Sequence, residues 1–235
     1  MTRLTFTAKT ERAPGVWEFC FMPEKPVEYV PGQYARFTFP FHVADPRGKQ
    51  HRTFTLNSHP SEPNIRIITR LETPLSAYKQ PLAALQPGDS MHIDEPHGDA
   101  VLPRLASTPL VFVAQGIGIA SYISMLRERE SSDLSRPITL LWARRSEDDR
   151  LENLIPGEIP GITRVDVRYP ARLTTEQILA HTGPQSLIYL SGSQTFVETL
   201  GAALETAGIP RERIIYDYYS GYTCLLYTSP SPRDP

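Results

Sequence analysis

Apolar and polar positions follow two different rhythms along the chain. In the first half, Leu4–Lys9, Val16–Phe21, Gln33–Phe39, His51–Leu56 and Asn64–Arg70 are short alternating or β-branched runs. Such runs predict strands with one buried face. Pro14-Gly15, Pro31-Gly32, Asp45-Pro46-Arg47-Gly48 and His59-Pro60 punctuate them as turns. Ser76–Leu85 has helical spacing and stops at Pro87-Gly88-Asp89, and Ser90–Asp94 predicts one more strand. Short strands at this spacing predict a small antiparallel β-barrel.

In the second half, strand candidates Leu110–Ala114, Ile138–Ala143, Thr163–Tyr169, Ser186–Ser191 and Arg213–Tyr216 are interleaved with helical patterns at Ile119–Glu130, Thr175–His181 and Gln194–Ala207. This alternation predicts a doubly wound parallel α/β sheet. The rhythm changes near Pro103–Ser107, giving a barrel over 1–104 and an α/β unit over 105–222.

Composition narrows the picture. The net charge of −2 gives no excess to attract nucleic acid or a membrane surface. No apolar run is long enough for a membrane span, and Met1–Phe6 alternates like a strand rather than a signal peptide. The 23 prolines fall mainly between periodic segments, as turn punctuation. The six histidines, His42, His51, His59, His92, His97 and His181, show no zinc-type spacing, so no metal site is expected. Cys224–Asp234 resembles a translated sequencing-library transposase adapter, so 223–235 is expected to be a non-native tail. Cys20 is then the remaining cysteine, which excludes intrachain disulfides and a cysteine-ligated iron–sulfur cluster in this segment. A reducing cytoplasm is the expected location.

Two motifs carry chemistry. In His51-Arg52-Thr53-Phe54-Thr55-Leu56, strand alternation sets Arg52 and Phe54 on one face and Thr53 and Thr55 on the other. Arginine's planar fork suits phosphate, and an aromatic suits a ring wall. In Pro109–Ser121 an apolar strand runs through Gln115-Gly116-Ile117-Gly118 into a helical pattern from Ile119. Glycines there let backbone approach a pyrophosphate at a helix start. Ser191-Gly192-Ser193 closes the fourth strand of the second half, with Ser193 as a helix cap. Arg144-Arg145 follows the second strand of that half; arginine here favours the extra phosphate of NADP, and a solvated pair is the plain alternative.

In order and spacing these motifs resemble the ferredoxin–NADP reductase superfamily over about Leu4 to Tyr222. The resemblance implies FAD, rather than FMN, held by Arg52, Thr53, Phe54 and Thr55: Arg52 on the phosphate, Phe54 along the isoalloxazine, and Thr55 near its reactive nitrogen. Ser76 matches a second phosphate contact, without the family's preceding glycines. Gly116, Ile117, Gly118, Ile119, Arg144, Gly192 and Ser193 would hold NADPH or NADH, with Thr55 and Ser191 near the hydride path. Phe54 stands where the family has tyrosine, Gln115 where it has glycine, and Ser121 and Ser193 where it has proline. The aromatic run Tyr216–Tyr222 resembles family endings that cover the flavin. The implied activity is NAD(P)H oxidation, with electrons passed to an unidentified acceptor such as a redox protein. A regulatory or electron-relay subunit that binds nicotinamide poorly fits the same motifs, as does a fragment of a longer reductase with an iron–sulfur domain lost.

Overall fold

The computed structural model describes residues 1–46, 48–131, 136–155 and 161–219. The first half forms β1 (Thr2–Ala13), β2 (Val16–Pro23), β3 (Tyr34–Thr38), β4 (His51–Thr55), β5 (Ile65–Arg70), α1 (Lys79–Ala84) and β6 (Ser90–Ile93). The strands pair antiparallel in the order β4-β3-β6-β1-β2-β5. Asn57 N donates to Arg66 O at 2.8 Å, which brings the chain leaving β4 against the opposite edge strand. The sheet thus closes on a core of Leu4, Phe6, Phe19, Phe21, Phe37 and Ile67, each almost fully buried. Inward alternation of large apolar side chains is the pattern read from the sequence.

The second half forms β7 (Leu110–Gln115), a 3-10 helix (Gly116–Tyr122) continuing into α2 (Ile123–Ser131), β8 (Ile138–Arg144), a 3-10 helix (Ser146–Leu154), β9 (Ile162–Arg168), α3 (Thr175–Leu179), β10 (Leu187–Ser193), α4 (Gln194–Thr206) and β11 (Ile214–Tyr219). The strands run parallel in the order β11-β10-β7-β8-β9. Chain order reverses between β7 and β10, so these two strands flank the topological switch point. One face packs Val111, Val113, Ile188 and Leu190 against Val197 and Leu204 of α4. The other packs Phe112, Leu140 and Trp142 with Tyr122 and Leu126, and this core runs on into Ala13, Val16 and Ile68 of the barrel.

The two halves therefore share apolar packing, and polar contacts cross the same boundary. Gly32 N donates to Ser124 Oγ at 3.2 Å, and Tyr189 donates its hydroxyl to Val101 O at 2.5 Å. Arg127 pairs with Glu62 at 2.7 Å and His59 meets Glu128 at 2.5 Å. Gly32 (φ +99°) sits where a Cβ would fall 2.2 Å from Ala100 O, so only glycine permits this approach.

Three elements depart from the sequence expectation. The helix expected at Ser76 starts at Lys79, with Ser76 Oγ accepting from Lys79 N at 3.3 Å. The helix expected from Ile119 begins as a 3-10 turn at Gly116, whose φ is +51°. The 3-10 segment Ser146–Leu154 was not expected from the sequence. The expected tail at 223–235 lies outside the described residues. None of the described helices is long and apolar enough to cross a membrane.

Candidate functional site

β4 is the end strand of its sheet, and its two faces carry different chemistry. Arg52 lies opposite Phe37 and Phe54 opposite Ala35, while Thr53 and Thr55 lie opposite Arg36 and Tyr34. On the first face the Arg52 guanidinium stands 5.3 Å from the Tyr78 ring centre and pairs with Asp45. Its Nη1 donates to His51 O at 2.8 Å. Tyr78 is held by its hydroxyl, which donates to Phe37 O at 2.6 Å; burial pushes its pKa far above the ordinary phenol value. Because Tyr78 follows Ser76 by two residues, Arg52 and the Ser76 turn come together. Phe54 is only 8 % exposed, with its ring centre 5.6 Å from that of Phe37 and 6.3 Å from that of Tyr78. Its face is spent largely on the barrel core, so the expected aromatic wall stands mostly inside the protein.

On the second face Thr55 is buried, and its Oγ1 has no hydrogen-bond partner among the described residues. A buried hydroxyl left unpaired is costly, and such a group points to a missing ligand atom. Its cross-strand neighbour Tyr34 packs edge-on against His97 at 5.2 Å, over Gly98. Arg36 N donates to Asp94 Oδ1 at 2.8 Å beside them. The sequence signal for this patch was the period-two spacing of Tyr34 and Arg36, whose relation to Thr55 only the register supplies.

The end of β4 is tied directly to the second half. Asn57, two residues past Thr55 and buried, donates its side-chain amide to Ala120 O in the turn after β7. That turn is the glycine turn read from the sequence. Trp142 Nε1 donates to Gly116 O at 2.9 Å, and a Cβ on Gly118 would fall 2.4 Å from Ser191 O. Gly118 therefore lets the turn press against the end of β10. Ile117 is half-buried and Ile119 fully buried in the core, so Ile119 can offer a ligand its backbone alone.

At the end of β10, Ser191 is fully buried, with its hydroxyl 3.1 Å from Ser121 Oγ and donating to Asp217 Oδ2 at 3.2 Å. Its side chain is thus turned into the protein, held between the turn after β7 and β11. Gly192 is buried; Ser193 is exposed and caps α4, its Oγ accepting from Phe196 N at 3.4 Å. The Ser193 hydroxyl also donates to Gln115 Oε1 at 2.8 Å.

Arg144 is neither of the arginines expected from the sequence, a solvated one or one open to a phosphate. Its side chain is fully buried, stacked 4.3 Å over Trp142, with Nη2 2.7 Å from Glu152 Oε1 and 3.5 Å from Asp166. The Arg144 and Arg164 guanidiniums hold the Glu152 carboxyl below its usual range. The outward-facing cations at the ends of β8 and β9 are instead Arg145, Arg168 and Arg172, beside Tyr169, which is 69 % exposed. Of the aromatic run, Tyr216 packs on α4: it donates to Glu205 Oε1 at 2.7 Å and lies under Arg211 at 4.0 Å. Tyr218 and Tyr219 carry no described side chains, and 220–222 lie outside the described residues.

No family model matches the chain. It is 23 % identical to flavohemoprotein A of Dictyostelium discoideum, over 92 % of this chain and 59 % of that one. It is 23 % identical to the reductase component of propane 2-monooxygenase from Mycolicibacterium goodii, over 83 % of this chain and 62 % of that one. The chain thus spans about three fifths of the length of these curated relatives. Among solved structures it resembles ferredoxin–NADP+ reductase of Plasmodium falciparum with 2′P-AMP, with a TM-score of 0.75 and 17 % identity, covering 92 % of this chain and 95 % of that one.

Proposed function

From its two-domain fold of the ferredoxin–NADP+ reductase superfamily, we propose that this chain is a flavin-dependent NAD(P)H oxidoreductase that delivers electrons to a partner. The observation that carries this reading is the Asn57–Ala120 contact, which joins the strand bearing Arg52 and Thr55 to the glycine turn at the switch point. In parallel sheets dinucleotides bind outside the carboxyl ends of the strands at that point.

FAD is the cofactor that fits. Arg52 offers a fixed cationic fork for phosphate, and the unpartnered Thr55 Oγ1 offers a hydrogen bond to a ring heteroatom. When bound, the flavin would take two electrons from a nicotinamide and release them to an acceptor. The chain's own share is to hold the two sites against each other through the packing between the halves and to exclude water between them. Similarity to a monooxygenase reductase component supports a redox protein as acceptor.

The test is a visible spectrum of the purified chain, before and after anaerobic NADPH and then NADH. Flavin bands that bleach support the reductase. Bands that persist with both donors favour a relay or regulatory subunit. A colourless protein that takes up no added FAD overturns the flavin reading.

A further inference from the structure

Gln115 is the last residue of β7 and Ser193 the last of β10, the two strands that flank the switch point. Their side chains are joined. Gln115 Oε1 accepts from Ser193 Oγ at 2.8 Å and from Ser193 N at 3.4 Å. The side chain also lies across Gly192, where an added Cβ would stand 2.9 Å from Gln115 Cβ and 3.4 Å from Oε1. The backbone that Gly192 leaves bare is therefore covered by Gln115 together with Phe196, whose Cδ1 would stand 3.0 Å from that Cβ. An exposed glutamine has every reason to remain in water unless the site gives it partners; here the donors are the cap residue at the start of α4.

We infer that Gln115 is a latch across the crevice, which must swing away from Ser193 before a nicotinamide ring can enter. The inference rests on the dinucleotide reading above. It assigns Gln115 a positioning role and no part in the chemistry: the side chain sets how readily the nicotinamide half of the donor is accepted. The adenosine and pyrophosphate half would bind along the glycine turn toward β8, on the side of β7 opposite Ser193, to which the Gln115 side chain is turned. Opening the latch costs the order of one net hydrogen bond, so removing it should tighten binding about three- to tenfold.

The test compares ligands that differ only in the nicotinamide. The FAD-supplemented full chain and its Gln115→Gly and Gln115→Ala variants are titrated calorimetrically with NAD+ and ADP-ribose, and with NADP+ and 2′-phospho-ADP-ribose. The expected result is tighter binding of the intact dinucleotide in both variants, with the affinity of the truncated ligand unchanged. The Gln115 side chain is exposed, so both variants should fold, which a thermal melt checks. Equal changes for the two ligands, or none, would overturn the latch while leaving the dinucleotide site standing. Failure of every ligand to bind any form would overturn the dinucleotide reading and the latch with it.

Discussion

The Arg52 guanidinium is ion-paired with the Asp45 carboxylate, whose side chain is only 2 % exposed. The cation proposed for the flavin phosphate thus has an internal counter-ion. A phosphate must share it or displace the acid, and two anions on one guanidinium repel. Arg52→Ala should weaken FAD binding by about tenfold to a hundredfold, the loss of charge-assisted hydrogen bonds. Asp45→Asn should act in the opposite direction and tighten it. Fluorescence quenching of FAD on titration measures both; a weaker complex in Asp45→Asn would mean that the acid orients Arg52 rather than competing with the ligand.

Thr55 predicts opposite effects on the empty and loaded protein. Its Oγ1 is buried without a partner among the described residues, so Thr55→Val removes an unmet polar group at nearly constant volume. The flavin-free variant should be more stable by about 1 kcal/mol. With FAD bound, the variant should lose that advantage, because the hydroxyl then has a partner. Urea denaturation with and without FAD separates the two; an equal shift in both states would remove Thr55 from the cofactor's contacts.

How far the site was legible depended on whether a residue's role is local. The strand periods placed Arg52, Phe54 and Thr55 on β4, and the strand–glycine–helix order placed the turn at Gly116 and Gly118, because these signals lie within a few residues. Partners brought by register were invisible: Tyr34 reaches Thr55 only through the β3–β4 pairing, and Asn57 reaches Ala120 across 63 positions. Arg144 misled for a related reason. The sequence shows its charge, but Glu152 and Asp166, which consume it, arrive from another segment and another strand.

Arg144 is accordingly expected to act on stability rather than on donor choice. Arg144→Met would strip Glu152 and Asp166 of a buried partner, although Glu152 can rehydrate because it is 42 % exposed. A loss of about 2 kcal/mol is expected, lowering Tm by about 4–8 °C. The ratio of NADPH to NADH turnover should stay within about twofold, below the tenfold that 1.4 kcal/mol would give. A collapse of NADPH use alone would restore Arg144 to the dinucleotide site, whereas such a collapse in Arg172→Ala would assign the phosphate to the β9 end.

Alkaline stability should report the buried phenols. Burial pushes Tyr29 and Tyr189 up to about 12, and burial together with the bond to Glu205 does the same for Tyr216. Unfolded tyrosine ionises near 10. Between pH 10 and 12 the native state therefore holds protons that the unfolded chain has released, and the stabilisation present below pH 10 is lost as pH rises. The slope approaches about 1.4 kcal/mol per pH unit for each well-buried phenol, and less for the more exposed Tyr216. Urea midpoints measured from pH 8 to 11 should be flat to about pH 10 and then fall. In Tyr189→Phe the fall should be shallower, because one phenol is gone; the variant should also start lower, having lost the 2.5 Å bond to Val101 that spans the two halves. A midpoint unchanged up to pH 11 would mean that these hydroxyls ionise as freely in the folded protein as in the unfolded chain, and that the packing around Tyr29 and Tyr189 is looser than their burial implies.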